Sequence, residues 1–162
     1  MIAVGLVAAT FAWWWNYNRG NNALDFYGAE TAGLIRSAPT VEIFVPPAAA
    51  PSRESGDDQP TGQIATRQID ISRAPGLLNA RTSLLDDASY AWDRPSAAAA
   101  PGPHILIRFM DRGKQAMLRI EFDSRTISLI PEGQQATLVE KTAEGWRSFA
   151  ARCVQLDQAE SN

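Results

Sequence analysis

Few side chains in this sequence could carry acid–base, nucleophilic or metal chemistry, and those few are scattered. His104 is the only histidine and Cys153 is the only cysteine. A histidine-based metal site needs carboxylates for the rest of its ligands, and the alternating residues after position 104 place only Glu121 opposite His104. Two ligands do not complete a metal shell, so we expect His104 to be a surface histidine beside a carboxylate.

A serine hydrolase would have to combine His104 with Asp111 and with Ser124 or Ser128. The sequence has no Gly-x-Ser-x-Gly motif, which exposes a nucleophilic serine between a strand and a helix. Glycine-rich phosphate-binding motifs are also absent. We therefore assign no catalytic, cofactor-binding or metal-binding residue.

Cys153 and the pair Asp86-Asp87 are further candidates. Cys153 shares an apolar helical stripe with Trp146 and Phe149, so we expect a buried, inert thiol rather than a nucleophile. The adjacent carboxylates follow a predicted helix and could bind a cation, but solvated carboxylates are the expectation at such a position. The alternative function is a metal-dependent or hydrolase-like enzyme that uses His104 with the carboxylates Asp111, Glu121 and Asp123.

Composition is that of an ordinary globular protein. The chain has 162 residues, of which 45% are hydrophobic and 20% charged, with a net charge of −3. Its 15 basic residues form no block, which argues against a nucleic-acid partner. A single cysteine excludes both an intrachain disulfide and a cysteine-based zinc site.

An uncharged apolar segment opens the sequence, and tryptophans end it. Residues 1–15 contain no charged side chain, and Trp13, Trp14 and Trp15 precede a polar run. Fifteen helical residues span roughly 22 Å, less than the roughly 30 Å of hydrocarbon in a bilayer, but tryptophan favours the membrane–water interface. We expect residues 1–17 to be a single-pass membrane anchor. A cleavable signal peptide and a buried core helix are the alternatives, and the sequence leaves the membrane side open.

The rest of the chain predicts a single α+β domain over residues 18–156. We expect a small antiparallel sheet, made of a three-stranded meander at 104–130 plus one or two further strands, packed by two or three helices. Residue spacing predicts helices at 23–37, from Pro75 to about residue 85, and at 137–155, and strands at 40–45 and 65–72. Proline- and alanine-rich stretches at 46–63 and 94–103 are typical of linkers, and 157–162 of a frayed tail.

The meander is the clearest element, because its turns and its alternation agree. A two-residue turn at Arg112-Gly113 pairs Phe109 with Ala116, Ile107 with Leu118 and Ile105 with Ile120. A tight turn at Ser124-Arg125 would pair Phe122 with Ile127 and Ile120 with Leu129, although this residue pair is not a favoured turn. Both turns send the apolar residues to the same face, so that face is predicted to be buried.

The opposite face of the meander is the candidate interaction face. It mixes methionine and arginine with aliphatic residues, a combination enriched where proteins bind one another. A mixed, solvated surface is the alternative. The candidate residues are Leu106, Arg108, Met110, Met117, Arg119 and Glu121.

Three segments stand out: FYGAE at 26–30 with LIRSAP at 34–39, DISRAPGL at 70–77 with LDD at 85–87 and on to Trp92, and EFD at 121–123. Together they resemble uncharacterised, membrane-anchored small proteins of planctomycete bacteria. The resemblance implies a similar anchored layout and transfers no activity or site residue. The sequence thus predicts a non-enzymatic, membrane-tethered accessory or protein-interaction domain, with no cofactor and an unidentified protein partner.

Overall fold

The structure, a computed structural model, describes residues 22–46, 67–94 and 102–160. The predicted anchor at 1–17 lies outside these ranges, as do most of the predicted linkers. The described residues form an α+β fold of helices and one antiparallel sheet, as the sequence predicts. The elements are α1 (Asn22–Ser37), β1 (Thr40–Val45), β2 (Arg67–Asp70), α2 (Leu77–Leu85), a short 3-10 helix (Asp87–Ser89), β3 (His104–Asp111), β4 (Lys114–Glu121), β5 (Thr126–Ile130), β6 (Gln135–Thr137) and α3 (Glu140–Glu160).

The sheet has six strands in the order β2-β1-β3-β4-β5-β6, and each pair is antiparallel. It therefore has three strands beyond the meander, one more than the sequence indicates. The additional strand is β6, whose three residues are too few to show a period-2 pattern. β1 lies between β2 and β3, so a strand from the N-terminal half of the chain separates β2 from the meander.

The β3–β4 hairpin has the predicted register. Phe109 pairs with Ala116, and the turn residues Arg112 and Gly113 both adopt left-handed backbone, with φ of 47° and 81°. This is the geometry of a type I′ turn, whose twist matches that of the flanking strands. His104 lies opposite Glu121, also as predicted.

The β4–β5 connection differs from the prediction. The turn contains four residues, 122–125, and Ile120 pairs with Ile127 instead of Leu129. The register is shifted by two residues, which keeps every side chain on its predicted face because strand side chains alternate with period 2.

The helices follow their predicted positions with local differences. Gly28 interrupts α1 with a φ of 70° and a ψ of 161°, a conformation that favours glycine. α2 begins at Leu77 after a left-handed Gly76, so Pro75 precedes the helix, and Leu78 is 74% exposed rather than on its apolar side. α3 begins three residues later than predicted and continues through Glu160, so residues 157–160 are helical and not frayed.

One apolar cluster joins the helices to what we call the inner face of the sheet. α1 packs against β3 and β4, α2 packs against α1 and α3, and α3 reaches β2. The largest buried side chains of the inner face are Ile43, Ile107, Phe109, Leu118, Ile120 and Ile127.

Candidate functional site

The opposite side of the sheet, which we call the outer face, carries the six candidate interaction residues. Strand pairing places Leu106 between Phe44 of β1 and Arg119 of β4, and it places Arg108 between Glu42 and Met117. The sequence did not reveal that β1 joins this surface, because strand order depends on contacts far apart in the chain. Glu42 and Phe44 are therefore members of the face that sequence analysis missed.

Arg108 is fixed by two residues of β1, and Gln68 of β2 binds one of them. Its Nε donates to Glu42 Oε2 at 2.8 Å, and Nη2 forms an ion pair with the same oxygen. Gln68 Nε2 donates to the other Glu42 oxygen at 2.9 Å, and the guanidinium lies 5.0 Å from the centre of the Phe44 ring. The charge of Arg108 is thus neutralised within the sheet.

Arg119 and Glu121 form a second pair, more deeply buried on its acidic side. Arg119 Nη2 lies 3.0 Å from Glu121 Oε1, in an ion pair without hydrogen-bond alignment. Ser124 Oγ donates to Glu121 Oε2 at 3.2 Å. The Glu121 side chain is only 3% exposed, whereas that of Arg119 is 34% exposed. The Glu121 carboxylate therefore lies below the surface of the outer face, and the Arg119 guanidinium forms part of that surface.

Apolar side chains lie beside these ion pairs, and polar residues such as Gln115, Thr126 and Ser128 also belong to the outer face. Leu106, Met110 and Met117 are half-buried, and Ile130, which pairs with Met117, is 37% exposed. Methionine is flexible and polarisable, so it adapts to the shape of an apposed surface. The arrangement can bury apolar area against a partner without removing an unpaired charge from water.

The residues of the alternative enzyme hypothesis do not meet at one point. Asp111 lies seven residues along β3 from His104, which corresponds to about 23 Å in an extended strand. Asp123 lies 3.4 Å from Arg147, and His104 Nδ1 is 3.0 Å from the carbonyl oxygen of Gly102. Within residues 22–46, 67–94 and 102–160, no group of three or more His, Cys, Asp or Glu side chains could hold a metal ion.

The remaining candidates have structural surroundings. Cys153 is buried, and burial raises the pKa of its thiol, which opposes the nucleophilic thiolate form. Asp86 is exposed, as the sequence predicts, whereas Asp87 is half-buried, and both carboxylates also accept main-chain hydrogen bonds. Asp86 accepts the amide of Ala88 at 3.0 Å, and Asp87 accepts the amide of Ala23 at 2.7 Å, so both cap helices.

A cavity of about 450 Å³ lies between α2 and α3. Trp146 and Phe149 form its apolar part, and Lys141 and Arg152 contribute basic groups. A side chain at Gly145 would meet nothing within 4 Å, so the absence of one helps to keep this space open. The lining also includes Asp86 and the hydroxyl residues Ser83, Ser89 and Thr142, and this mixture defines no particular ligand chemistry.

No helix in the described ranges combines the length and the apolar composition required to span a bilayer. Comparison with protein-family models, curated proteins and solved structures gave no match.

Proposed function

We propose that this chain is a non-enzymatic, membrane-tethered accessory domain that binds a protein partner through the outer face of its sheet. The observation that carries the proposal is the composition of that face. Half-buried Leu106, Met110 and Met117 lie among arginines that are already paired with Glu42 and Glu121.

The internal ion pairs indicate what kind of partner fits. An arginine that already has a carboxylate neighbour offers little attraction to an acidic ligand, but its planar guanidinium can still pack against a protein surface. Apolar contact then supplies the free energy of binding, and the arginines define the orientation. We therefore expect a protein partner with a largely apolar, weakly charged patch.

The tether is supported by the sequence of residues 1–17, an apolar segment that ends in an aromatic cluster. The resemblance to anchored planctomycete proteins agrees with this layout. An anchor confines the domain to two dimensions beside its partner, which raises the effective concentration of a modest interaction surface.

Site-specific photo-crosslinking in membranes of the source cells tests this proposal. A benzophenone amino acid replaces Met117 on the outer face, and in a matched control it replaces Leu78, which is 74% exposed on α2. We expect a discrete protein adduct from position 117 that is absent from position 78. The adduct should be lost when Met110→Lys is added, because a lysine in the apolar surface must be desolvated on binding.

Equal adducts at both positions, or none at position 117, would contradict the proposed binding face. The Met110→Lys chain must unfold at the same urea concentration as its parent, which separates loss of binding from loss of fold. Recovery of the chain in the soluble fraction with its N-terminal segment intact would contradict the tether.

A further inference from the structure

An aromatic cluster with one exposed member lies beside the N-terminus of α1. Tyr27 and Tyr90 form its buried base, with their hydroxyl oxygens 2.7 Å apart. Trp92 stacks on Tyr90 with ring centres 4.6 Å apart, and half-buried Phe26 lies 6.2 Å from Trp92. Trp92 is 37% exposed, so part of its indole ring faces away from the cluster.

Asp87 connects this cluster to the start of α1. Its carboxylate accepts the amides of Asn22 and Ala23 at 3.3 and 2.7 Å, which caps the helix from 64 residues away. Its main-chain carbonyl oxygen accepts the indole N–H of Trp92 at 3.2 Å. Asp87 thus contacts both the exposed indole of Trp92 and the main chain of Asn22, the first described residue after residues 1–21.

We propose that Trp92 and Phe26 form a lipid-contact site that seats the domain on the membrane–water interface next to its anchor. This inference rests on the proposed tether. The physical basis is that tryptophan combines a large apolar ring with a polar N–H, which suits it to the headgroup region. Phe26 lies in the first turns of α1, shortly after the predicted anchor in the sequence, so an inserted anchor would hold Phe26 and the adjacent Trp92 ring near the bilayer surface.

The charged residues around the cluster indicate which lipid headgroup charge the site would favour. Asp25 precedes Phe26 and Asp93 follows Trp92, and both side chains are exposed, whereas Arg94 is the adjacent exposed base. The local balance is acidic, so anionic headgroups should repel this corner of the domain. The site therefore suits a zwitterionic headgroup such as phosphatidylcholine.

Depth-dependent fluorescence quenching on the full-length chain tests the site. Cys153→Ala removes the native thiol, and a single cysteine is then introduced as Trp92→Cys or Arg94→Cys and labelled with an environment-sensitive fluorophore. Arg94→Cys keeps the stacked rings intact, which guards against a local packing defect at position 92. Leu78→Cys and Leu156→Cys are the matched controls, since those residues are 74% and 51% exposed on other helices.

Each labelled chain is incorporated into phosphatidylcholine vesicles with and without a lipid that carries a quencher just below the headgroup. We expect at least twofold quenching at positions 92 and 94 and little at 78 and 156. Substituting a third of the lipid with phosphatidylglycerol should reduce the quenching at 92 and 94.

The possible outcomes separate this inference from the tether. Chains that float with the vesicles but show no quenching at 92 and 94 overturn the lipid-contact site and leave the tether intact. A blue-shifted but unquenched label indicates a ring covered by protein, and equal quenching at all four positions indicates unspecific contact; each overturns the site. Chains that do not float overturn both the site and the tether.

Discussion

The two faces of the same six-stranded sheet are built from different side chains. The inner face is made of fully buried aliphatic and aromatic residues that pack against the helices. The centre of the outer face combines half-buried apolar side chains with two arginines, each with a carboxylate neighbour in the sheet, and polar residues such as Thr126 and Ser128 lie toward β5 and β6. Folding requires the inner composition, because the apolar cluster supplies most of the free energy of burial.

The outer composition is not needed for folding in the same way. An antiparallel sheet can leave one face to water, and polar side chains are the usual composition of such a face. Leu106, Met110 and Met117 at the centre of the outer face agree with the proposed binding face. The comparison predicts that truncating an apolar side chain of the inner face lowers stability strongly, whereas truncating Leu106, Met110 or Met117 on the outer face costs little stability and weakens the proposed binding.

The largest expected effect comes from comparing Leu118→Ala on the inner face with Leu106→Ala on the outer face. Leu118 is fully buried on β4, and its truncation should lower the free energy of unfolding by about 3–4 kcal/mol, since the cavity adds to the lost transfer energy. Leu106 is half-buried, and the same truncation should cost less than about 1 kcal/mol. Urea unfolding measures both, and equal losses would remove the distinction between the faces.

The two arginines of the outer face should differ from each other. Arg119→Ala leaves the Glu121 carboxylate 97% buried without its cation, and we expect a loss of about 2–3 kcal/mol. Arg108→Ala leaves Glu42 with Gln68 as a donor and with a more exposed side chain, so about 1 kcal/mol is expected. Glu121→Gln combined with Arg119→Ala should recover part of the larger loss. A cost for Arg108→Ala equal to or above that of Arg119→Ala in urea unfolding would contradict this ranking.

Alkaline pH should weaken the helix side of the molecule. Burial raises the pKa of both Tyr27 and Tyr90 above their ordinary value of 10.0, because desolvation disfavours the phenolate. Below that pH the tyrosines stabilise the fold fully. Above it the unfolded chain releases protons that the native chain keeps, so stability falls with rising pH, by up to about 1.4 kcal/mol per pH unit for each tyrosine.

Tyr90→Phe isolates this effect from other alkaline titrations. The variant loses the hydroxyl that donates to the Leu84 carbonyl oxygen, so it should be less stable than the parent at pH 8. Between pH 10 and 11 its stability should decline with a shallower slope, because one ionising group is gone. Urea unfolding at pH 8, 10 and 11 gives both quantities, and identical slopes would refute the assignment.

The sequence predicted the features of the fold that depend on residues close together in the chain, such as hairpin register and the faces of strands. The β3–β4 register follows from alternation and from Arg112-Gly113, a turn that fits a two-residue hairpin. The β4–β5 register was wrong by two residues, since Ser124-Arg125 does not favour a two-residue turn, yet the faces were right because the shift is even. Glu42 and Phe44 could not be assigned to the outer face, because nothing local indicates that β1 pairs with β3.

The capping role of Asp87 belongs to the same class of long-range feature, and its removal should have a small and local effect. Asp87→Ala removes the acceptor for the amides of Asn22 and Ala23, so we expect a loss of about 1 kcal/mol, concentrated in the first turn of α1. Asp87→Asn keeps one acceptor oxygen and should lose about half as much.

Hydrogen exchange at the Ala23 amide locates the effect, since a lost cap should speed exchange there before it does so in the sheet. Faster exchange spread evenly over the inner-face strands would show that Asp87 stabilises the whole core instead. Exchange confined to the first turn of α1 would show that the helix start, where the proposed tether joins the domain, can open while both faces of the sheet remain folded.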